Sequence, residues 1–247
     1  MNIFLLRGLV REKEHWGEFK KLIHLYFPEA NIITPEIQGV GEFVDQISPN
    51  NFRDMVQFMR QKNQEYFHSN SNNIIIAMSL GGMMIKQWLE MYPQDFKKVI
   101  LINTSFKGIN PISKRLRILT LLNFIKIFIS RNINNRERSI IKIVSNLNKD
   151  NEEIIKSWVA IQKKRPVSKK SFINQIKAAL NFKTNKNWPK EIALLILASK
   201  KDKLCHYSCS EKLSKLWQGE FHLHSSAGHD LPLDDGEWLL KKIKNWI

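Results

Sequence analysis

Residues 74–82 read IIIAMSLGG, an apolar β-branched run that ends in a turn of small residues carrying one serine, Ser79. Helix-forming residues follow at once, from 83 to 91. A strand, a sharp turn and a helix with serine at the apex form the setting of a nucleophile elbow. The strained turn requires small neighbours, and Ala77 and Gly81 stand two positions before and after the serine. A buried strand followed by an ordinary turn has the same pattern, so this stretch alone leaves both interpretations open.

Strand-like and helix-like segments alternate along the rest of the chain. The predicted strands are residues 2–6, 31–34, 74–78, 98–102, 192–198 and 220–224, and the main predicted helices are 18–27, 50–67, 83–91, 208–217 and 235–246. This alternation favours an α/β fold with a mostly parallel sheet. In such sheets the functional residues collect at the carboxyl ends of the strands.

Composition limits the class of protein. The 247 residues are 43% hydrophobic, which is enough for a sizeable core. No run approaches the roughly 18 apolar residues that a membrane-spanning helix needs, and residues 1–7 are too short and too early charged for a signal peptide. Cys205 and Cys209 lie four apart in a predicted helix and do not resemble a disulfide framework. We therefore expect a reducing, cytoplasmic setting.

The positive charge is concentrated in one segment. The formal net charge is +16, and residues 106–190 hold 20 Lys/Arg against 4 Asp/Glu, while the remainder has 19 of each sign. No convincing strand occurs there, and helices are predicted at 112–130, 135–147, 152–164 and 169–182. Residues 118–129 are more apolar than a solvent-facing helix needs, which fits either packing on the main domain or a greasy cavity. We predict a core of residues 1–105 and 191–247 with a basic four-helix insertion at 106–190.

Three residues combine into a candidate catalytic set. Nucleophilic catalysis by serine needs a base to take its proton and an acid to orient that base. Ser79, Asp202 and His229 each follow a predicted strand, so all three can meet at one edge of the sheet. Three further acids compete with Asp202 for the third role: Asp230, Asp234 and Asp235. Asp234 or Asp235 better suits the N-cap of the last helix.

Two other histidines, His222 and His224, lie on one face of a predicted strand and could mimic a metal pair. The sequence offers no convincing third ligand, so no metal site is predicted.

Over its full length the chain resembles the α/β-hydrolase superfamily. The resemblance is carried by AMSLG at 77–81, SKKD at 199–202, AGHDLP at 227–232, RGL at 7–9 and QGVG at 38–41. It implies a Ser79–His229–Asp202 triad, a sheet without the usual first two strands, and a helical lid between the sixth and seventh strands of the family scheme. It also implies an oxyanion hole formed by the N–H groups of Leu9 and Leu80. In two departures, Ala77 replaces the first elbow glycine and Arg7 replaces the usual histidine before Gly8.

The Ser-Leu-Gly-Gly elbow and the four-helix lid are together similar to the pimeloyl-acyl-carrier-protein methyl ester esterases of biotin synthesis. That resemblance implies a serine carboxylesterase that forms an acyl-enzyme, needs no cofactor or metal, and holds an acidic carrier protein with basic lid residues. Seven cations are candidates for binding substrate or carrier: Arg115, Arg117, Arg136, Arg138, Lys163, Lys164 and Arg165.

Alternatives stay open at this point. A basic lid also suits an anionic membrane surface, which would indicate a lysophospholipase-like or lipase-like esterase. The charge could equally be a solvated face, and a hydrolase fold can serve as a non-catalytic binding protein. Nucleic acid is disfavoured because aromatic residues are not interleaved with the basic ones.

Overall fold

The computed structural model describes residues 1–68, 71–115, 122–123, 127, 130 and 132–247. Its centre is one six-stranded sheet. The strands are β1 (Asn2–Leu6), β2 (Asn31–Ile33), β3 (Asn73–Met78), β4 (Lys98–Ile102), β5 (Ala193–Ser199) and β6 (Glu220–His224). They lie in the order β2-β1-β3-β4-β5-β6, and every neighbouring pair is parallel. The predicted α/β-hydrolase fold with a mostly parallel sheet is confirmed.

Helices connect the strands. They are α1 (Glu18–Tyr26), α2 (Phe52–Lys62), α3 (Leu80–Met91), α4 (Ile112–Arg115), α5 (Ile133–Val144), α6 (Glu152–Lys164), α7 (Lys169–Asn181), α8 (Ser208–Trp217) and α9 (Leu231–Trp246). Helices α4–α7 occupy the chain between β4 and β5, the segment predicted as the lid.

The four central strands, β1, β3, β4 and β5, are buried on both faces, as parallel strands covered by helices should be, whereas the edge strands β2 and β6 are partly exposed. Because side chains alternate along a strand, Ile3 and Leu5 of β1 enter one apolar cluster, together with residues of α1 and α9. Phe4 and Leu6 enter the other cluster, which also holds residues of α2, α3 and the helices α5–α7. The inserted helices therefore pack onto the core and share its apolar interior.

Local capping explains where the inserted helices begin. The Asn132 side chain accepts from the Asn135 N–H, so α5 starts two residues before the predicted position. The Asn151 side chain accepts from Glu153 and Ile154, and α6 has the predicted bounds. Of the helix predicted at 112–130, the first turn is α4, and most of the remainder lies outside the described residues.

The last helix starts four residues earlier than the sequence indicated. Asp230 caps a first turn by accepting from the Leu233 N–H, and the backbone then kinks at Asp235, with φ −151° and ψ 74°. The Asp235 carboxylate caps the part after the kink by accepting from the Trp238 N–H at 2.9 Å. The helical pattern that begins at Asp235 therefore predicted the part of α9 that follows the kink.

Among the residues described above, no helix combines the length and apolarity that crossing a bilayer requires.

Candidate active site

Ser79 sits at a strained turn between β3 and α3, with φ 56° and ψ −119°. Its N–H donates to the Ile102 carbonyl at 2.9 Å, and its carbonyl accepts from the Thr104 hydroxyl at 2.7 Å. A Cβ on Gly81 would lie 2.6 Å from the Leu6 carbonyl oxygen, closer than real Cβ contacts. The elbow therefore needs glycine at that position because the backbone at the end of β1 packs directly against it.

The three residues chosen from the sequence form one hydrogen-bonded chain. The Ser79 Oγ lies 2.9 Å from His229 Nε2, and His229 Nδ1 lies 2.7 Å from Asp202 Oδ2. With Nδ1–H donating to the carboxylate, Nε2 is free to accept the serine proton. The other carboxylate oxygen of Asp202 accepts from the N–H groups of Leu204 at 2.7 Å and Cys205 at 3.0 Å. Asp202 is thus fixed from both sides and buried, at 2% exposure.

The surroundings of His229 change its pKa. Burial by itself lowers the pKa, but the charge and hydrogen bond of Asp202, aided by the charge of Asp230, outweigh it, and the pKa is raised above the ordinary 6.5. The site therefore stabilises the imidazolium that forms when the histidine takes a proton.

Asp230, one competitor for the acid role, is committed to a buried ion pair. The Arg7 guanidinium donates to its two oxygens at 3.2 Å and 2.6 Å. The same guanidinium lies over the Trp16 ring, 4.9 Å from the centroid. Arg7, which replaces a family histidine, thereby ties the loop after β1 to the histidine loop. Sequence reasoning missed this pair.

Asp234, the second competitor, joins the histidine loop to the insertion. It accepts from the N–H of Gly228 at 2.6 Å and of Asn146 at 2.9 Å, and from the Ser145 hydroxyl. The Asp230 N–H also donates to the Val144 carbonyl at 2.8 Å. The end of α5 is therefore bound to the loop that carries His229.

Asn103 was also missed. It lies directly after β4 with φ 47°, a conformation that asparagine tolerates better than most residues. Its side-chain N–H donates to the His229 carbonyl at 2.8 Å and the Ser199 hydroxyl at 3.1 Å, and its Oδ1 accepts from the Ser199 N–H at 2.8 Å. Asn103 thus links the ends of the strands that carry the acid and the base. An asparagine immediately after a strand was the one signal available.

The predicted oxyanion-hole residues flank Ser79. Leu80 opens α3, where backbone N–H groups lack helical partners. Leu9 lines the space beside Ser79. A Cβ on Gly8 would lie 3.2 Å from the Ser79 Cβ, so the loop after β1 passes close to the nucleophile. The oxyanion role itself stays a prediction.

Two cavities meet at Ser79. The first, of about 120 Å³, is lined mainly by apolar atoms and reaches residues of the insertion. The second, of about 100 Å³, lies against α7. Both are lined by Leu9, Ser79, Met83, Ser105 and Arg115. Of the lid residues that line the cavities, the sequence analysis named Arg115 but not the apolar ones: Ile140, Val144 and Trp158 in the first cavity, and Ile176, Ala179 and Leu180 in the second.

The seven candidate lid cations occupy different environments. Arg115 is 4% exposed and lines both cavities, so it is not a surface residue. Lys163 and Lys164 are exposed at the end of α6. Three of the others are in ion pairs, Arg136 with Glu137, Arg138 with Glu152 and Arg165 with Glu12. Arg117 lies outside the described residues.

No metal-binding cluster of three His, Cys, Asp or Glu occurs within the described part of the chain. His222 contacts Glu220 at 2.6 Å, and His224 contacts Asp235 at 3.2 Å. Both cysteines are buried thiols; Cys209 lies in α8, whereas Cys205 precedes that helix rather than lying in it.

Solved structures with the same fold catalyse different reactions. A thermophilic esterase from Thermogutta terrifontis is 14% identical, with a TM-score of 0.76 covering 100% of this chain and 89% of that chain. A bromoperoxidase from Bacillus anthracis is 14% identical, with a TM-score of 0.75 and coverages of 98% and 91%. The 2-hydroxy-6-oxo-6-phenylhexa-2,4-dienoate hydrolase from Rhodococcus sp. strain RHA1 is 17% identical, with a TM-score of 0.73 and coverages of 99% and 89%. At these identities the likeness establishes the fold alone.

A comparison with curated protein sequences finds no match. One family model does match, over residues 43–236, which is more than three quarters of the chain and includes Ser79, Asp202 and His229. Together with the fold, this match gives a clear assignment: the chain belongs to the Hydrolase_4 family (serine aminopeptidase, S33) of α/β-hydrolases.

Proposed function

We propose that the protein is a serine hydrolase of carboxylic esters that works through an acyl-enzyme. The observation that carries the proposal is the hydrogen-bonded chain from Ser79 Oγ through His229 to Asp202, at 2.9 Å and 2.7 Å, opening onto mostly apolar cavities. Nucleophile, base and orienting acid are in hydrogen-bond contact without rearrangement. Family membership and the esterases among the similar structures support the same class.

The proposed mechanism follows from these contacts. His229 Nε2 takes the Ser79 proton as Oγ attacks the ester carbonyl, and Asp202 holds the imidazolium. The N–H groups of Leu9 and Leu80 stabilise the oxyanion, a contribution of about 2.7–4 kcal/mol per donor. The intermediate collapses as His229 protonates the departing alcohol. Water, deprotonated by His229, then attacks the acyl-enzyme and releases the acid.

Charge in the cavity favours an ester over a peptide, although the family description is serine aminopeptidase. An aminopeptidase substrate carries an N-terminal ammonium, which a site must accept with a carboxylate. The first cavity is lined by Arg7, Arg11 and Arg115. The Asp230 carboxylate also lines it but already pairs with Arg7. Arg11 pairs with Glu137, so Arg115 is the cavity arginine without an ion pair among the described residues, and its charge would repel an ammonium.

An acyl-carrier-protein-linked methyl ester is the finer form of this proposal, taken from the family resemblance. Lys163 and Lys164, exposed and at the end of a lid helix, are the cations best placed to meet an acidic carrier. The test compares a carrier-linked methyl ester with the same free ester and with lysophospholipid vesicles, in the wild type and in Lys163→Glu/Lys164→Glu. If the carrier docks on these lysines, the charge-reversal variant should turn over the carrier-linked ester more slowly and the free ester at the wild-type rate. Preferred turnover of vesicles would support the lipase-like alternative.

The ester hydrolase itself is tested with p-nitrophenyl esters of increasing acyl length. We expect Ser79→Ala to abolish turnover. Ser105→Ala is the matched control, because Ser105 also lines both cavities but makes no hydrogen bond to His229 in the described part of the chain. Turnover that survives in Ser79→Ala contradicts the mechanism, and absence of turnover at every length favours a non-catalytic binding protein.

A further inference from the structure

Arg115 is a buried cation at the junction of the two cavities. It is 4% exposed, and it lines both cavities beside Ser79. Among the described residues it donates one hydrogen bond, a long one from Nη2 to the Ala179 carbonyl at 3.4 Å. Its Nε is buried with no hydrogen-bond partner among the residues that the structure describes. Within the described residues, this guanidinium, which offers five donors and shares both cavities with Ser79, is therefore incompletely hydrogen-bonded.

The other two arginines that line the first cavity are compensated. Arg7 pairs with Asp230 at 2.6 Å, and Arg11 pairs with Glu137 at 2.9 Å, in both cases with buried side chains. Across residues 1–68, 71–115 and 132–247, no carboxylate forms an ion pair with Arg115. Arg115 is therefore the arginine of this cavity that no carboxylate of the described residues pairs.

Leaving this charge unbalanced is costly. Burial lowers the pKa of Arg115 below its ordinary value, and the neighbouring Cys205 and Cys209 oppose that shift only in part. Arginine does not give up its proton in proteins, so the cation persists. A buried charge is normally paired or hydrogen-bonded. Because the described residues supply no carboxylate to Arg115, a bound anion would supply the counter-charge.

We propose that Arg115 binds a carboxylate carried by the ester substrate, so that the preferred substrates are esters with a free acid group. This inference rests on the proposed ester hydrolase and names its substrate class. It competes with the carrier-linked methyl ester, whose acyl chain carries no free acid group. A planar guanidinium matches a carboxylate through two parallel hydrogen bonds. A single unbalanced charge in a small, mostly apolar space suits a monoanion rather than a phosphate monoester dianion.

The position of Arg115 allows the acid group on either side of the scissile bond. Both cavities share Ser79 and Arg115, so one receives the acyl part while the other receives the alcohol part. A neutral ester fills the same space but leaves the guanidinium desolvated and unpaired. Acidic and neutral esters of equal length should therefore differ in kcat/KM, the quantity that reports transition-state binding.

The experiment measures that ratio with two substrate pairs. Mono-p-nitrophenyl esters of C4 to C7 dicarboxylic acids are compared with p-nitrophenyl esters of the equally long monocarboxylic acids, and 4-acetoxybenzoate is compared with phenyl acetate. In the wild type we expect the acidic member of at least one pair to be preferred. In Arg115→Met the ratio of kcat/KM for the acidic ester to that for the neutral ester should fall about 10- to 100-fold, because a charged hydrogen-bond pair is lost. The ratio for Arg115→Lys should lie between those of the wild type and Arg115→Met.

Lys114→Met is the matched control, since it removes an exposed cation from the same turn and should leave the ratio unchanged. Because the readout is a ratio within one protein preparation, partial unfolding of a variant does not affect it. An Arg115→Met ratio equal to that of the wild type in both pairs overturns the inference.

A binding measurement separates this inference from the proposed reaction. Calorimetric titration of Ser79→Ala with the mono-methyl esters of C4 to C7 dicarboxylic acids should show binding. Adding Arg115→Met to this variant should lower the affinity at least tenfold. If no ester is hydrolysed by the wild type, the hydrolase proposal fails, and this titration alone decides whether Arg115 binds a carboxylate. Affinity that does not depend on Arg115 contradicts the inference.

Discussion

Replacing Asp230 by asparagine should destabilise the protein strongly, because it leaves the Arg7 guanidinium buried without its counter-charge. Both side chains are almost fully buried, at 4% and 2% exposure. Asparagine preserves the shape of Asp230, so the loss is one of charge and hydrogen-bond strength. Removing one partner of a buried pair costs about 3–5 kcal/mol. For a chain of this size each kcal/mol lowers Tm by about 2–4 °C, so the expected decrease is about 6–20 °C.

The assay is thermal unfolding followed by circular dichroism at neutral pH. Two controls isolate the buried charge. Arg7→Met/Asp230→Leu removes both charges and should recover most of the loss, since apolar replacement of a whole buried pair is often neutral. Glu18→Gln breaks the exposed pair with Lys21, whose side chains are 78% and 76% exposed, and should change Tm by less than about 2 °C.

The outcome that refutes this reasoning is specific. If Asp230→Asn lowers Tm no more than Glu18→Gln does, leaving the buried Arg7 cation without its carboxylate does not destabilise the fold. If the double variant is as unstable as Asp230→Asn, the loss comes from packing rather than from an unpaired cation.

Three further predictions follow from other contacts. Asp202→Asn should lower kcat/KM by about 10³–10⁴-fold. Because the Asp202 carboxylate raises the pKa of His229, the ascending limb of the pH–rate profile should also move to lower pH in this variant. A limb that does not move would contradict the effect of Asp202 on the His229 pKa. Gly81→Ala should lower the free energy of unfolding by about 1–3 kcal/mol, since its Cβ would lie 2.8 Å from the Arg7 carbonyl oxygen, and an unchanged urea midpoint would count against the elbow geometry. Burial, and after it the charge of the neighbouring arginines, holds the pKa of His15 well below 6.5. Its contribution to stability is therefore present above about pH 6.5 and is lost as pH falls, by up to about 1.4 kcal/mol per pH unit. Urea unfolding at pH 6.5 and 5.5 should show that His15→Gln loses less stability than the wild type over this interval, and equal losses would mean that His15 is protonated in the folded state.

The hydrogen-bonded contact of the three candidate residues could be predicted because its signals are local. Ser79, Asp202 and His229 each follow a strand, and a parallel sheet places the carboxyl ends of all its strands at one edge. The bounds of α6 were predicted correctly because Asn151 and the two glutamates after it mark the first turn in consecutive residues. These features depend on a few consecutive residues, which the sequence displays directly.

The electrostatics around the triad could not be predicted, because they depend on residues far apart in the chain. Arg7 and Asp230 are 223 positions apart, and each occurs in a loop where a charged residue is ordinarily solvated. Arg115 belongs to a segment rich in basic residues and looks in sequence like any other surface cation, yet it is buried. Burial of a charge is decided by packing between distant elements, and nothing in the neighbouring sequence reports it.

The central claim is that Ser79 is a nucleophile activated by His229. The most direct measurement is peptide mapping by mass spectrometry after treatment with a fluorophosphonate, which reacts covalently with an activated serine. We expect one adduct per chain, located on Ser79, and no adduct in His229→Ala. Folded wild-type protein that stays unlabelled, or an adduct on another residue such as Ser105, would contradict the account.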